Sequence, residues 1–155
     1  MLIFGVLTSR DSCCSFQSWS PLGAAHFLHL VKSETQYFNG CAFNRVVPGF
    51  LTQFGIGADY EQRTAYRRMT IRDDIPADPK IPFEPGYMSY AGNGKNSRTT
   101  EVFIVMPETH RSQLEYFGVN AWETPFGYVE PEDLDVVAKW HSYGDMAPVS
   151  QPSVM

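Results

Sequence analysis

Phe43-Asn44-Arg45-Val46-Val47-Pro48-Gly49-Phe50-Leu51-Thr52-Gln53-Phe54-Gly55 is the stretch that decides the fold. Its β-branched and aromatic residues predict strands at about 41–47 and 50–56. Pro48 removes a ladder donor and Gly49 permits a bend, so a kink or bulge is expected between the strands. The stretch holds no Cys, His, Asp or Glu, so it offers no acid–base pair and no metal-ligand set. It does combine one permanent cation, Arg45, with large apolar groups. Two readings of Arg45 stay open: an arginine on the solvent face of a half-buried strand, or a fixed guanidinium beside an apolar pocket. Phe50 and Leu51 could line that pocket or simply fill a core. Gln53 in an apolar strand needs hydrogen-bond partners, which a bound peptide backbone could supply.

Working outward, residues 2–8 read as a strand and 13–17 as a weaker second one. A helix starts at Ser20 as N-cap and Pro21 as first residue, with Ala24, Phe27, Leu28 and Val31 on one face. Asn39-Gly40 marks a turn. Residues 57–86 are polar and carry Pro76, Pro79, Pro82 and Pro85, which predicts a loop with one strand at 68–72. Pro85-Gly86 turns into a strand at Tyr87–Ala91. A loop follows to Thr100, then a strand at Val102–Met106. Residues 107–125 read as irregular, with one helical turn near Ser112–Phe117. Phe126–Val129 is a strand. A second helix is expected from Pro131, with Leu134, Val137, Ala138 and His141 on one face and Gly144 as its stop. The tail from Asp145 shows no apolar period and is expected to be disordered.

Length and composition bound the function. A chain of 155 residues fits one domain, and 43% hydrophobic content argues for a folded globule. The net charge of -5 gives no general attraction to nucleic acid or anionic membranes. Met1 to Leu7 lacks the basic start and cleavage site of a secretory signal, and no apolar run approaches the ~20 residues of a membrane span. Cys13, Cys14 and Cys41 are too few for a disulfide scaffold and read as reduced thiols. A cytoplasmic location is the expectation.

Other constellations give less. Ala91-Gly92-Asn93-Gly94-Lys95-Asn96 invites a phosphate reading, but Ser89 stands where a P-loop needs its first glycine and Asn96 where it needs Ser or Thr. Ser97 likewise breaks the dinucleotide pattern. The loop reads better as a backbone edge open to a ligand. His26 and His29 have no further metal ligands nearby, and no metal or cofactor is expected. Arg63, Arg67, Arg68 and Arg72 interleave with Tyr60 and Tyr66, as a single-strand nucleic-acid site would. In an acidic chain a charged loop is the better reading, and no nucleic-acid partner is expected.

The opening stretch closely resembles the signature of the cyclophilins, the cyclosporin-binding class of peptidyl-prolyl isomerases. A second block agrees in order and spacing: Gly86-Tyr87-Met88-Ser89-Tyr90-Ala91, then Thr99-Thr100-Glu101-Val102-Phe103-Ile104. A third is Phe126-Gly127-Tyr128-Val129. The resemblance covers roughly Trp19 to Tyr143. It implies a mainly β fold, an antiparallel eight-stranded β-barrel closed by two α-helices, as one domain over 1–144 with the tail at 145–155 outside it. One clear strand precedes the first helix where the family has two.

Carried over residue by residue, the resemblance makes Arg45 the catalytic arginine and Gln53 the glutamine that holds substrate backbone. It makes Phe50, Leu51 and Phe103 the floor of a proline pocket and Leu114 its far wall. Ala91 and Gly92 would pair with the bound peptide, and Glu101 replaces a frequent glutamine. The implied partners are proline-containing peptides and proteins, met by a monomer. Gln113 stands where many members carry the tryptophan that contacts cyclosporin, so strong cyclosporin sensitivity is not expected. A non-catalytic proline-peptide binding module on the same barrel is the alternative.

Overall fold

Helix α1 (Pro21–Val31) begins where the sequence marks it, with proline in its first turn. The computed structural model describes residues 19–32, 34–75 and 80–142. Ser20 holds the N-cap position as expected, but its hydroxyl bonds none of the helix amides. Asp74 caps the helix from a distant loop, accepting from Leu22 N at 2.8 Å and Gly23 N at 3.1 Å, while Ser20 Oγ donates to it at 2.5 Å. A carboxylate there also complements the helix dipole. Arg98, 0% exposed, donates to the same carboxylate at 2.9 Å and to the Arg72 carbonyl. The buried face of α1 is Gly23, Ala24, Phe27 and Leu30, so Leu28 and Val31 flank it instead of lying at its centre.

Strands β1 (Phe43–Val47) and β2 (Leu51–Phe54) form an antiparallel hairpin. The expected kink at Pro48-Gly49 is a tight turn: Phe50 N donates to Val47 O at 3.0 Å, and Gly49 has φ +70°, where glycine has no Cβ to clash. The irregularity falls at the other end, where the register shifts between Phe43 and Arg45 around Asn44. Strands β3 (Tyr87–Tyr90), β4 (Val102–Val105) and β5 (Gly127–Tyr128) complete one antiparallel sheet in the order β1-β2-β4-β3-β5.

Five strands among the described residues make one antiparallel sheet, mainly β as expected, which does not close into a full eight-stranded barrel within those residues. Closure requires the two edges to pair, and here the edges are β1 and the two-residue β5. The strands expected at 2–8 and 13–17, Gly144 and the tail lie outside the described residues.

Helix α2 (Tyr60–Tyr66) replaces part of the expected loop, with Asp59 accepting from Gln62 N at 2.7 Å as its cap. The strand expected at 68–72 is reduced to one bridge between Ile71 and Arg98. Helix α3 (Arg111–Leu114) supplies the expected helical turn, slightly earlier than read. Helix α4 (Leu134–Ala138) follows a 3-10 turn at Pro131–Asp133 and stops before His141. It buries Val137, while Ala138 and His141 face solvent.

The sheet is covered on both faces. Alternation sends Val46, Phe54, Met88, Tyr90, Val102 and Ile104 to one side, where Ala24 and Phe27 of α1 and Val137 of α4 pack. The other side holds a second cluster built on Leu51, Phe103 and Val105 with Phe83 and Phe117.

Candidate active site

The second face carries the residues that the opening stretch singled out. Pairing across β1, β2, β4 and β3 sets Arg45, Gln53, Phe103 and Ser89 in one row. Leu51 and Val105 lie next along the same face. Arg45 Cζ is 6.0 Å from the Phe50 ring centroid, at the outer limit of a cation–π contact. Arg45 and Phe103 therefore share a side of the molecule.

Gln53 Nε2 donates to Glu101 Oε2 at 3.0 Å. An ionised carboxylate only accepts. The Gln53 amide must thus turn its NH₂ to Glu101 and keep Oε1 for other partners. Arg67, which ends α2, brings its Nη2 to 4.0 Å from Glu101 Oε1. The result is a chain of side chains, Arg67–Glu101–Gln53, running into the row that contains Arg45.

Phe50, Leu51, Ala91, Phe103 and Leu114 join one apolar cluster with Phe83 and Phe117. The Phe117 ring stacks on Phe50 at 4.9 Å and on Phe103 at 5.4 Å. Phe103 is only 5% exposed as a result. Sequence reading missed both Phe83 and Phe117, since each lies in a segment without a regular period. The one available signal was the i, i+3 step from Leu114 to Phe117 within the expected helical turn.

Gly92 sits at the margin. A side chain there would run into the Trp122 indole, so only glycine allows this approach. Trp122 Nε1 is buried without a hydrogen-bond partner. Ala91 N is already used, donating to Glu101 O at 3.0 Å. The Ala91–Gly92 edge, expected to meet a peptide, is thus partly engaged by the chain itself. A separate cavity of about 240 Å³ lies behind Phe83, lined by Lys80, Val119, Asn120 and Pro125, and includes none of Arg45, Gln53 or Phe103. Among the described residues no helix is long and apolar enough to cross a membrane.

Comparison with known proteins agrees with this fold. A curated relative, the "Peptidyl-prolyl cis-trans isomerase" of Synechococcus elongatus, is 28% identical over 130 residues, covering 84% of this chain and 80% of the relative. The fold is similar to the crystal structure of a cyclophilin type peptidyl-prolyl cis-trans isomerase of Cryptosporidium parvum, at TM-score 0.58 and 22% identity over 86% of this chain and 80% of that one. The structure of the same protein in the presence of the dipeptide Ala-Pro gives TM-score 0.59 and 22% identity, covering 87% of this chain and 82% of that one. The Mimivirus cyclophilin gives TM-score 0.56 and 20% identity, covering 79% and 65%. The sequence model of the family described as "Cyclophilin type peptidyl-prolyl cis-trans isomerase/CLD" matches residues 15–155. With nearly its whole length matched, the chain belongs to the cyclophilin-type peptidyl-prolyl cis-trans isomerase family.

Proposed function

We propose that the protein accelerates rotation about X–Pro bonds in peptides and proteins, with Arg45 as the electrostatic catalyst. Amide resonance sets a barrier of about 18–20 kcal/mol for ordinary peptide bonds. In the twisted state the C–N double-bond character is lost and the nitrogen lone pair localises. A guanidinium aimed at that nitrogen binds the twisted state better than the planar one, which is the condition for catalysis. Phe50, Leu51, Phe103 and Leu114 would hold the proline ring, and Gln53 Oε1 would receive a substrate N–H. The observation that carries this reading is the row Arg45–Gln53–Phe103 on one sheet face beside the aromatic cluster.

NMR exchange on a short Ala-Pro peptide tests it. The folded protein should broaden or exchange the cis and trans signals. Arg45→Ala should lower kcat/KM by about 10²–10³-fold, the effect of removing one preorganised donor, with unchanged circular dichroism. Exchange at the uncatalysed rate with folded protein would reject the reading.

A second reading has its own observation. With Phe117 stacked on a 5%-exposed Phe103, a proline ring must shift Phe117 or sit beside it. A binding module without catalysis would show saturable prolyl-peptide binding and no faster exchange.

A further inference from the structure

Resting on the isomerase reading above, we propose that the exposed end of α2, Arg67 with Arg68 beside it, forms a cationic rim on the peptide groove. That rim selects prolyl substrates carrying an acidic side chain a few residues from the proline. Residues 60–70 hold Arg63, Arg67 and Arg68 against Glu61 alone, in a chain of net charge -5. The local surface thus opposes the charge of the whole molecule.

The three arginines are not equivalent. Arg63 is committed: its Nη1 donates to Gly57 O at 2.9 Å and its guanidinium lies 5.4 Å from the Tyr60 ring centroid. Arg67 is 61% exposed and meets Glu101 only at 4.0 Å, beyond hydrogen-bond length. Glu101 is 27% exposed, and its oxygens face Gln53 and Arg67. Glu101 thus holds Arg67 only loosely beside Gln53. The guanidinium is what a passing peptide meets.

Position follows from the strands. Gln53 pairs with Phe103 of the apolar cluster, Glu101 contacts Gln53, and Arg67 lies beside Glu101. An extended peptide advances about 3.3 Å per residue, so a residue roughly two to four places from the proline reaches Arg67.

The experiment uses the intact protein and three peptides of one length, each with a central Ala-Pro and with Glu, Gln or Lys two to four places away on either side. NMR exchange gives kcat/KM and titration gives Kd, each at low salt and at high salt. The Glu peptides should exceed the Lys peptides by about two- to fivefold, the reach of an exposed ion pair, and high salt should erase the gap. Arg67→Glu combined with Arg68→Glu should reverse the order of Glu and Lys. The wild-type salt response needs no variant and stands if that variant fails to fold. Accelerated exchange equal on all three peptides at low salt overturns the rim and leaves the isomerase reading intact. Exchange at background with affinities still ordered by charge overturns isomerisation and keeps the rim. Background exchange with equal affinities overturns both, and an order that survives the double reversal overturns the rim.

Discussion

Single residues carry the proposed chemistry, and they were the most legible part of the chain. Arg45, Phe50 and Gln53 stand within one short run, so their types and spacing already described a cation and an amide beside apolar rings. What the run could not reveal is which groups meet it from elsewhere. Glu101 and Arg67 reach Gln53 only through the fold. His26 shows the same limit. Its spacing from His29 gave no metal set and no sign of burial, yet its Nε2 is buried without a partner. Burial pushes its pKa below 6.5, opposed by a backbone hydrogen bond with Thr99 and aided by the nearby charges of His29 and Arg98. The folded state thus keeps His26 neutral while the unfolded chain takes up a proton. As pH falls through 6.5 the unfolded state binds more protons, so stability falls. Above that pH this group contributes no slope. The melting temperature should drop between pH 7.5 and about 5.5, and His26→Gln should flatten the drop. Identical curves for the two proteins would clear His26 of the effect.

Elements were legible where one face is buried and the other wet. Helix α1 and the hairpin β1–β2 followed from their periods and from Pro21 and Gly49. Helix α2 did not, because it buries none of its residues and so has no apolar stripe to read. Its cue was the cap at Asp59. The start of α1 and its N-cap position at Ser20 were legible, but the carboxylate that bonds its first amides was not, since Asp74 arrives from 51 or more residues away. Removing Asp74 should be costly twice over. Asp74→Ala uncaps α1 and leaves the fully buried Arg98 guanidinium without its closest carboxylate. Breaking a buried pair from one side costs about 3–5 kcal/mol, and urea unfolding should show a loss of that size. A change below about 1 kcal/mol would mark the pair as a mere surface bridge.

The molecule as a whole rests on one sheet shared by two apolar layers. Phe117 is central to the second layer, stacking on Phe50 and Phe103 and lying 5.6 Å from Phe83. Phe117→Ala should therefore cost about 3–5 kcal/mol, visible as a lower midpoint in guanidinium. Phe117→Leu should recover much of it. If alanine there were neutral, the second layer would not be part of the stabilising core. The contact of Phe117 with Phe50, Phe103 and Phe83 was not readable in advance, because aromatic contact between distant segments leaves no local period.

Strand β4 was recognised from its β-branched residues, although it shows none of the alternation of an edge strand. The reason is that all four positions, Val102 to Val105, are buried. Its amides pair with β2 on one side and β3 on the other, so neither water nor catalyst can reach them by local fraying. In deuterium oxide they should be the slowest of all to lose their protons, at a rate set by global opening. Should β4 exchange as quickly as the short β5, the sheet would be opening at its centre without global unfolding.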